Sequence, residues 1–256
     1  MTGYAALITG SSRGIGKGVA LALAAHGFAI AANELAPSRE LDGVIDELKA
    51  MGVVATSAVG DVSDLSQHQA ILDAAERGVG PLSTLVNNAG VSVLQRGDLL
   101  DVSPESYDRC QQINTRGAFF LTQAWAKRAI SQASTTARHR SIITISSCNA
   151  EAVSVARGEY CISKAAASMI AKLFAVRLGG DGIGSYEIRP GLIETPMTAV
   201  VKETYEDRIR AGLTIVQRMG QPSDIASIAV ALATGQLAFC TGQALNADGG
   251  LTIPRF

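Results

Sequence analysis

The sequence has few of the residues that build metal centres and disulfide frameworks. Its three histidines are scattered, and its four cysteines contain no C-x-x-C pair. Cysteines spaced in this way predict free thiols, packed as small hydrophobic side chains in a reducing cytoplasm. We therefore expect no metal site. The cysteines are Cys110, Cys148, Cys161 and Cys240.

An excess of charge and long hydrophobic runs are also missing. The 22 Lys and Arg residues nearly balance the 23 Asp and Glu residues, and they are spread along the chain. Nothing in this distribution indicates a nucleic-acid partner. No stretch reaches the roughly 18 apolar residues of a membrane-spanning helix, and residues 1–10 lack the basic start of a signal peptide. We expect no membrane partner and a cytoplasmic location.

Short apolar runs alternate with helix-length segments along the chain. This alternation, with strands that are apolar almost throughout, is typical of a parallel sheet covered by helices on both faces. We predict an α/β fold in which residues 1–256 form a single domain, a Rossmann-type doubly wound sheet of seven strands. The predicted strands are 4–9, 28–32, 53–59, 82–88, 141–146, 183–188 and 242–247, and the predicted helices are 14–26, 38–51, 64–77, 104–132, 158–179 and 222–234. The polar stretch 131–140 is predicted to be an exposed loop.

A glycine-rich turn joins the first predicted strand to the first helix. Gly10, Gly14 and Gly16 follow the pattern G-x-x-x-G-x-G, which differs from the common G-x-G-x-x-G fingerprint. Glycines let the backbone turn sharply and approach a pyrophosphate bound at the helix N-terminus. A Walker loop is excluded, because Gly18 follows Lys17 where that motif has Ser or Thr. The turn predicts a nucleotide-binding site.

The second predicted strand ends in A-A-N-E-L, which places Glu34 where the adenosine ribose of a dinucleotide would lie. A carboxylate there accepts hydrogen bonds from the ribose hydroxyls and repels a 2′-phosphate. Arg13, inside the glycine turn, argues in the opposite direction, because a guanidinium pairs with phosphate. We favour NAD(H) and keep NADP(H) as the alternative.

Tyr160 and Lys164 lie four residues apart on a predicted helix, so both side chains share one face. By itself such a pair is an ordinary feature of a helix surface. An ammonium beside a phenol, however, favours the phenolate and lowers the pKa of the tyrosine from about 10. Reduction of a ketone by hydride makes an alkoxide, which needs a nearby proton donor. A hydroxyl such as that of Ser147, aimed at the same oxygen, would stabilise the charge that develops there.

These motifs occur in an order that resembles the short-chain dehydrogenase/reductase family over nearly the whole chain. Besides the glycine turn they are G-D-V (60–62), N-N-A-G (87–90), Q-I-N ending at Asn114, and R-P-G (189–191); Tyr160 follows Ser147 by 13 residues. The motifs are most similar to those of bacterial 3-oxoacyl-[acyl-carrier-protein] reductase-like members. The resemblance implies an NAD(P)-dependent oxidoreductase that interconverts a secondary alcohol and a ketone. One departure is a longer interval between Asn114 and Ser147.

The same resemblance implies a role for each matching residue. Tyr160 would be the general acid/base and Ser147 would hold the substrate oxygen. Lys164 would lower the pKa of Tyr160 and hold the nicotinamide ribose, while Asn114 would hold a water that relays protons to Lys164. Residues 61–62 would contact the adenine of the cofactor, and residues 88–90 would line its ribose. Residues 193 and 195 would contact the nicotinamide carboxamide. The implied cofactor-binding residues are Gly10, Ser12, Arg13, Gly14, Ile15, Gly16, Glu34, Asp61, Val62, Asn88, Ala89, Gly90, Tyr160, Lys164, Pro190, Gly191, Ile193 and Thr195.

The substrate is a small carbonyl or alcohol that the sequence does not name. Sugar alcohols, hydroxysteroids and 3-oxoacyl thioesters all remain open. Cys148 is expected to point away from the face of Ser147, because neighbours in a strand alternate, and Cys161 is likewise expected to be a packed thiol. Segment 192–214 resembles the family's mobile lid, with a fixed surface helix as the alternative. Residues expected near the substrate are Ser92, Leu94, Asn149, Glu151 and Glu159.

In helix 158–179 the stretch 165–178 is apolar nearly all round apart from Lys172 and Arg177, whereas a helix outside a sheet should have a polar outer face. We expect a second subunit to cover it, in a homotetramer or a homodimer. Two other functions remain open. One is a nucleotide-sensing protein without catalysis, against which the complete set of catalytic residues argues. The other is a sugar-nucleotide epimerase or dehydratase, for which the roughly 60 residues after the R-P-G turn are too few.

Overall fold

The computed structural model describes residues 3–132 and 138–255. In these residues seven parallel strands form one sheet, in the order β3-β2-β1-β4-β5-β6-β7. The predicted α/β class and the doubly wound sheet are confirmed. The strands are β1 (Ala5–Ile8), β2 (Ala29–Ala32), β3 (Ala55–Ser57), β4 (Thr84–Asn87), β5 (Arg140–Ile145), β6 (Ile183–Pro190) and β7 (Ala244–Ala247).

Helices cover both faces of the sheet, and their buried apolar side chains form two cores. On one face α1, α2 and α8 pack around Ile8 and Val86, and on the other α3, α5 and α6 pack around Leu7 and Leu85. Neighbouring strand residues thus enter opposite cores, which explains why the strands are apolar at every position. The helices are α1 (Gly14–Ala25), α2 (Arg39–Ala50), α3 (His68–Val79), α4 (Pro104–Cys110), α5 (Ala118–Ser131), α6 (Gly158–Leu178), α7 (Lys202–Arg210) and α8 (Pro222–Ala233).

The predicted helix 104–132 is interrupted. Between α4 and α5 the chain forms a π-helix, Gln111–Gly117, which contains Asn114. A π turn accommodates one more residue than an α turn, and such turns are common at functional sites. Gly117 fits here because a Cβ atom would lie 2.4 Å from the carbonyl oxygen of Val62. The predicted helix therefore has the correct extent, but it is not one continuous α-helix.

The predicted loop 131–140 is shorter than expected at both ends. Ser131 is the last residue of α5, and Arg140 is the first residue of β5. Arg140 belongs to the strand because its guanidinium is buried, where it donates to the carbonyl oxygen of Ala129 at 2.6 Å. The central residues 133–137 lie outside the described part of the chain.

Segment 192–214 contains a short 3-10 helix, Ala199–Val201, followed by α7. Tyr205 and Ile209 of α7 pack with Met219 in a small separate core. The predicted lid motion stays a prediction. Within the described ranges the four cysteines are free thiols, and none of the helices found there has the length and apolar character needed to cross a bilayer.

Candidate active site

A cavity of about 700 Å³ opens at the carboxyl ends of the strands. Parallel α/β sheets bind ligands at this edge, where the helical connections leave for opposite faces. All of the site residues predicted from the sequence line the cavity except Ser12, Gly16 and Asn114. These three lie directly behind its wall, and each contacts a residue that forms it.

The glycine turn has the geometry that a pyrophosphate needs. Gly10 and Gly14 have φ angles of +62° and +55°, which favour glycine. A Cβ atom on Gly16 would lie 2.3 Å from the carbonyl oxygen of Gly10, so this helix residue must also be glycine. No side chain caps the N-terminus of α1, and its first turn carries no acidic residue. Its first amides therefore favour an anion, and a dinucleotide fits this end of the cavity.

Asn88 and Thr9 hold the glycine turn against the end of β4. The amide of Asn88 donates to the carbonyl oxygens of Thr9 at 2.8 Å and Gly10 at 2.9 Å. The Thr9 hydroxyl accepts hydrogen bonds from the backbone N–H groups of Asn88 and Ala89, both at 2.9 Å. The sequence predicts Asn88 only as a ribose contact. Its hydrogen bonds show that it also fixes the turn.

The end of β2 brings Glu34 to the cavity wall. Its carboxylate accepts hydrogen bonds from the hydroxyl of Ser12 and from the backbone N–H of Leu35, the latter at 3.0 Å. Arg13 also lines the cavity and is exposed. Asn33, which the sequence analysis missed, is buried and donates to the carbonyl oxygens of Ala58 and Gly60 at 2.7 and 3.1 Å. It ties the end of β2 to the segment that carries Asp61 and Val62.

Ser147, Tyr160 and Lys164 meet on the opposite side of the cavity. Ser147 follows β5 and caps the short 3-10 helix Cys148–Ala150, with its hydroxyl accepting the N–H of Asn149 at 3.1 Å. Lys164, on the same helix α6 as Tyr160, donates to the carbonyl oxygen of Ile145 at 3.0 Å. Its Nζ atom lies 5.7 Å from the centroid of the Tyr160 ring.

Burial governs the pKa values of this pair. It raises the pKa of Tyr160 to about 12, while a hydrogen bond with Ser147 and the charge of Arg157 act in the lowering direction. Burial also lowers the pKa of Lys164 to about 8, against the raising effects of Cys110 and Glu187. Desolvation outweighs the charges near Tyr160, so its pKa lies above the ordinary value. The lowering of the Tyr160 pKa by Lys164 stays a prediction.

Asn114 is tied to its surroundings through its side chain. The side-chain nitrogen donates to the carbonyl oxygen of Val91 and to the hydroxyl of Ser163, both at 2.9 Å. The side-chain oxygen accepts a hydrogen bond from the N–H of Val91 at 2.8 Å. These bonds connect the π turn with the loop after β4 and with α6. Both amide hydrogens are thereby used in fixing the site.

A buried carboxylate that the sequence analysis missed stands behind Lys164. Glu187 of β6 is 1% exposed and accepts hydrogen bonds from Ser168 at 2.8 Å and from Arg189 at 2.7 Å. Arg189 also pairs with Glu151. The pattern of an apolar strand contains no signal for an ion pair inside the sheet.

The expectations for the substrate side are partly wrong. Ser92 and Asn149 line the cavity, whereas Leu94, Glu151 and Glu159 do not. Glu151 turns to Arg189, and Glu159 is buried, where it accepts the Ser106 hydroxyl at 2.6 Å.

Cys148 lines the cavity, contrary to the expectation that it points away from the site. The strand alternation on which that expectation rests ends at Ile145. Cys161 is half-buried, with its thiol near the carbonyl oxygen of Ser154. Three arginines on the cavity wall, Arg96, Arg109 and Arg157, are not anticipated by the sequence analysis.

Comparison with known proteins agrees with this geometry. Residues 10–252 match the family model described as enoyl-(acyl carrier protein) reductase. The structure of a 3-oxoacyl-[acyl-carrier protein] reductase from Brucella melitensis in complex with NAD is 40% identical, with a TM-score of 0.95, over 99% of this chain and 98% of that one. A gluconate 5-dehydrogenase from Burkholderia cenocepacia, in complex with NADP and tartrate, is 31% identical, with a TM-score of 0.90, over 100% and 97% of the two chains.

Comparison of amino-acid sequences also finds similar proteins. Oxidoreductase UcpA of Salmonella typhimurium is 32% identical over 99% of this chain and 96% of its own length. Both the family model and these relatives cover nearly the whole chain. The chain belongs to the short-chain dehydrogenase/reductase family of NAD(P)-dependent oxidoreductases.

Proposed function

We propose that this protein interconverts a secondary alcohol and a ketone by hydride transfer, with Tyr160 as the general acid/base. The observation that carries the proposal is the convergence of Ser147, Tyr160 and Lys164 on one cavity, whose other end has the uncapped N-terminus of α1. A bound nicotinamide dinucleotide supplies or accepts the hydride.

In the direction of reduction, the Tyr160 hydroxyl donates its proton to the oxygen that becomes the alcohol. A neutral phenol, which the raised pKa maintains, is the state that can donate. The Ser147 hydroxyl binds the same oxygen and stabilises the charge that develops on it. Loss of one such donor typically costs about 10²–10³ in rate. In the direction of oxidation the same groups act in reverse, with Tyr160 as the base.

Lys164 has two parts in this proposal. Its ammonium provides a positive field near the phenol, and its hydrogen bond to Ile145 fixes it between β5 and Tyr160. Gly90 lies beside it, where a Cβ atom would be 3.5 Å from Nζ, an ordinary contact, and 3.1 Å from the side-chain oxygen of Asn114, a tight one. Asn114 holds the loop after β4 and α6 together, and we assign it the proton relay toward Lys164.

We assign NAD(H) as the cofactor and keep NADP(H) as the alternative. Glu34 is on the cavity wall at the end of β2, and Ser12 and the N–H of Leu35 hold its carboxylate in place. A fixed negative charge accepts ribose hydroxyls and repels a 2′-phosphate. The cofactors named for the relatives differ, since the Brucella protein is described with NAD and the Burkholderia protein with NADP.

The relatives suggest two substrate classes, 3-oxoacyl thioesters and sugar acids or polyols. The alcohol–ketone chemistry at Tyr160 and Ser147 is the same for both. The charges on the cavity wall bear on the choice and are considered in the next subsection.

The test compares Tyr160→Phe with the wild type and with Tyr107→Phe, a control at a half-exposed tyrosine of α4 that is not on the cavity wall. We expect Tyr160→Phe to keep its affinity for NADH, measured by fluorescence, and to lose at least about 10²-fold in turnover. The control should match the wild type. Unchanged turnover in Tyr160→Phe would overturn the assignment, and absence of turnover in the wild type across carbonyl and alcohol panels would favour a nucleotide sensor.

A further inference from the structure

Arg157 is a cation on the substrate side of the cavity with an unused donor. It precedes the first residue of α6, and its guanidinium carbon lies 5.5 Å from the centroid of the Tyr160 ring. One nitrogen, Nη2, donates to the side-chain oxygen of Asn149 at 2.8 Å. The Nε atom is buried and has no hydrogen-bond partner among the described residues. A buried donor left without a partner is costly, so this nitrogen favours a ligand that accepts from it.

Asn149 fixes where Arg157 points. Its amide nitrogen donates to the carbonyl oxygen of Ala152 at 2.8 Å, so its oxygen is left to accept from the arginine. The backbone N–H of Asn149 donates to the Ser147 hydroxyl at 3.1 Å. One short turn therefore positions both the proposed holder of the substrate oxygen and the arginine.

The other arginines on this side of the cavity bind neutral groups. Arg96 and Arg109 also line it, and their hydrogen bonds go to neutral groups, the hydroxyl of Tyr205 at 3.3 Å and the carbonyl oxygen of Ser92 at 3.0 Å. Within residues 3–132 and 138–255, no ion pair joins a carboxylate to any of these three arginines.

The acidic residues of the cavity wall are at its far end. They are Glu34, which follows β2, and Asp61, which follows β3. Three strand intervals separate β2 from β5 in the sheet, which is about 14 Å at the usual spacing of parallel strands. The cavity wall on the substrate side therefore carries three arginines and no carboxylate.

We propose that the substrate is a short oxo acid or hydroxy acid whose carboxylate pairs with Arg157. This inference rests on the proposed function and specifies its substrate class. Arg157 lines the cavity, and a carboxylate matches the planar donor edge of its guanidinium. A small shift of the guanidinium would bring the buried Nε into the same pair. The carboxylate is unchanged by the reaction: the ketone carbon takes a hydride from the reduced nicotinamide, and its oxygen takes the proton of Tyr160. A 3-oxoacyl thioester has no negative charge at the corresponding place.

The test uses pairs of substrates that differ only in this charge. Pyruvate, acetoacetate and levulinate are each compared with their methyl esters, and acetoacetate also with its N-acetylcysteamine thioester. In the wild type we expect kcat/KM to favour at least one acid over its ester by about tenfold or more. Arg157→Gln should lower kcat/KM for that acid by about 10–100-fold more than it lowers kcat/KM for the ester, mainly through KM. Arg157→Lys should recover part of the loss.

A control variant and a binding measurement separate this inference from the proposed function. Arg138→Gln is the control, because Arg138 also lies over a tyrosine ring, that of Tyr4, but outside the cavity. Calorimetry with malonate, which undergoes no turnover, should give affinity in the wild type and in Arg138→Gln that Arg157→Gln loses. Equal use of acids and esters, or malonate binding unchanged in Arg157→Gln, would overturn the inference. Loss of turnover of every substrate in Tyr160→Phe would in either case leave the proposed function standing.

Discussion

The ammonium of Lys164 lies 5.7 Å from the centre of the Tyr160 ring and donates its hydrogen bond to the carbonyl oxygen of Ile145. The two groups share one dry environment, which disfavours charge on either. Burial accordingly raises the pKa of Tyr160 to about 12 and lowers that of Lys164 to about 8. The site thus holds a phenol that can donate a proton and a lysine that titrates near pH 8.

The lowered pKa of Lys164 predicts that stability increases with pH in a defined window. The folded protein releases the lysine proton near pH 8, whereas the unfolded chain holds it to about pH 10.5. Within that window the unfolded state binds more protons, so the free energy of unfolding rises with pH. Urea unfolding measures the effect. Between about pH 7 and about pH 9, the free energy of unfolding of the wild type should rise by about 1 kcal/mol relative to that of Lys164→Met.

The control for this measurement is Lys49→Met, at an exposed lysine of α2, which should keep the pH dependence of the wild type. The raised pKa values of the buried thiols Cys110 and Cys148 act in the opposite direction. The contribution of Cys148 cancels in the comparison, whereas Lys164→Met also removes a charge that lowers the pKa of Cys110. Parallel pH curves for the wild type and Lys164→Met would show that Lys164 stays protonated throughout.

Removing the charge of Glu34 should change the cofactor preference. Glu34→Gln retains a side chain of similar size but no longer repels a 2′-phosphate. The ratio of NADPH affinity to NADH affinity should rise by about 10–100-fold, because one charge-assisted hydrogen bond is lost and one repulsion removed. Fluorescence titration measures both affinities. Glu40→Gln, at an exposed acid of α2, is the control. If the wild type already binds NADPH more tightly than NADH, the assignment of Glu34 is wrong.

Two glycines in helices should respond to alanine in opposite ways. A Cβ atom on Gly16 would lie 2.3 Å from the carbonyl oxygen of Gly10 and 2.5 Å from the side-chain nitrogen of Asn88, so the turn must shift. Gly16→Ala should lower the thermal midpoint and weaken NADH binding by about tenfold or more. At Gly43, in α2, a Cβ atom would have no neighbour within 4 Å among the described residues. Gly43→Ala should stabilise the protein by about 0.5–1 kcal/mol and leave NADH binding unchanged. Equal effects of the two changes would contradict this interpretation of the turn.

The sequence predicts the sheet well because each of its signals is local. Apolar runs mark the strands, and the glycines of the turn follow one another within a single short segment. Residues whose role depends on contacts between distant segments are missed. Arg157 is an ordinary residue in the chain and gains a role only when Asn149 and Tyr160 surround it. The burial of Glu187 follows from its partners Ser168 and Arg189, which local patterning does not show.

The exposed apolar side of α6 provides the last prediction. Val176 is 88% exposed, and Ile162, Met169 and Leu173 on the same helix are each at least half exposed. Burial of such side chains contributes roughly 1.5–3 kcal/mol each, so we propose that a second copy of the chain covers them. Leu173→Glu would place a charge in that contact and should shift the protein toward monomer in sedimentation velocity at micromolar concentration. Met51→Glu, at an exposed methionine after α2, should leave the assembly intact. A wild type that sediments as a stable monomer would refute the prediction.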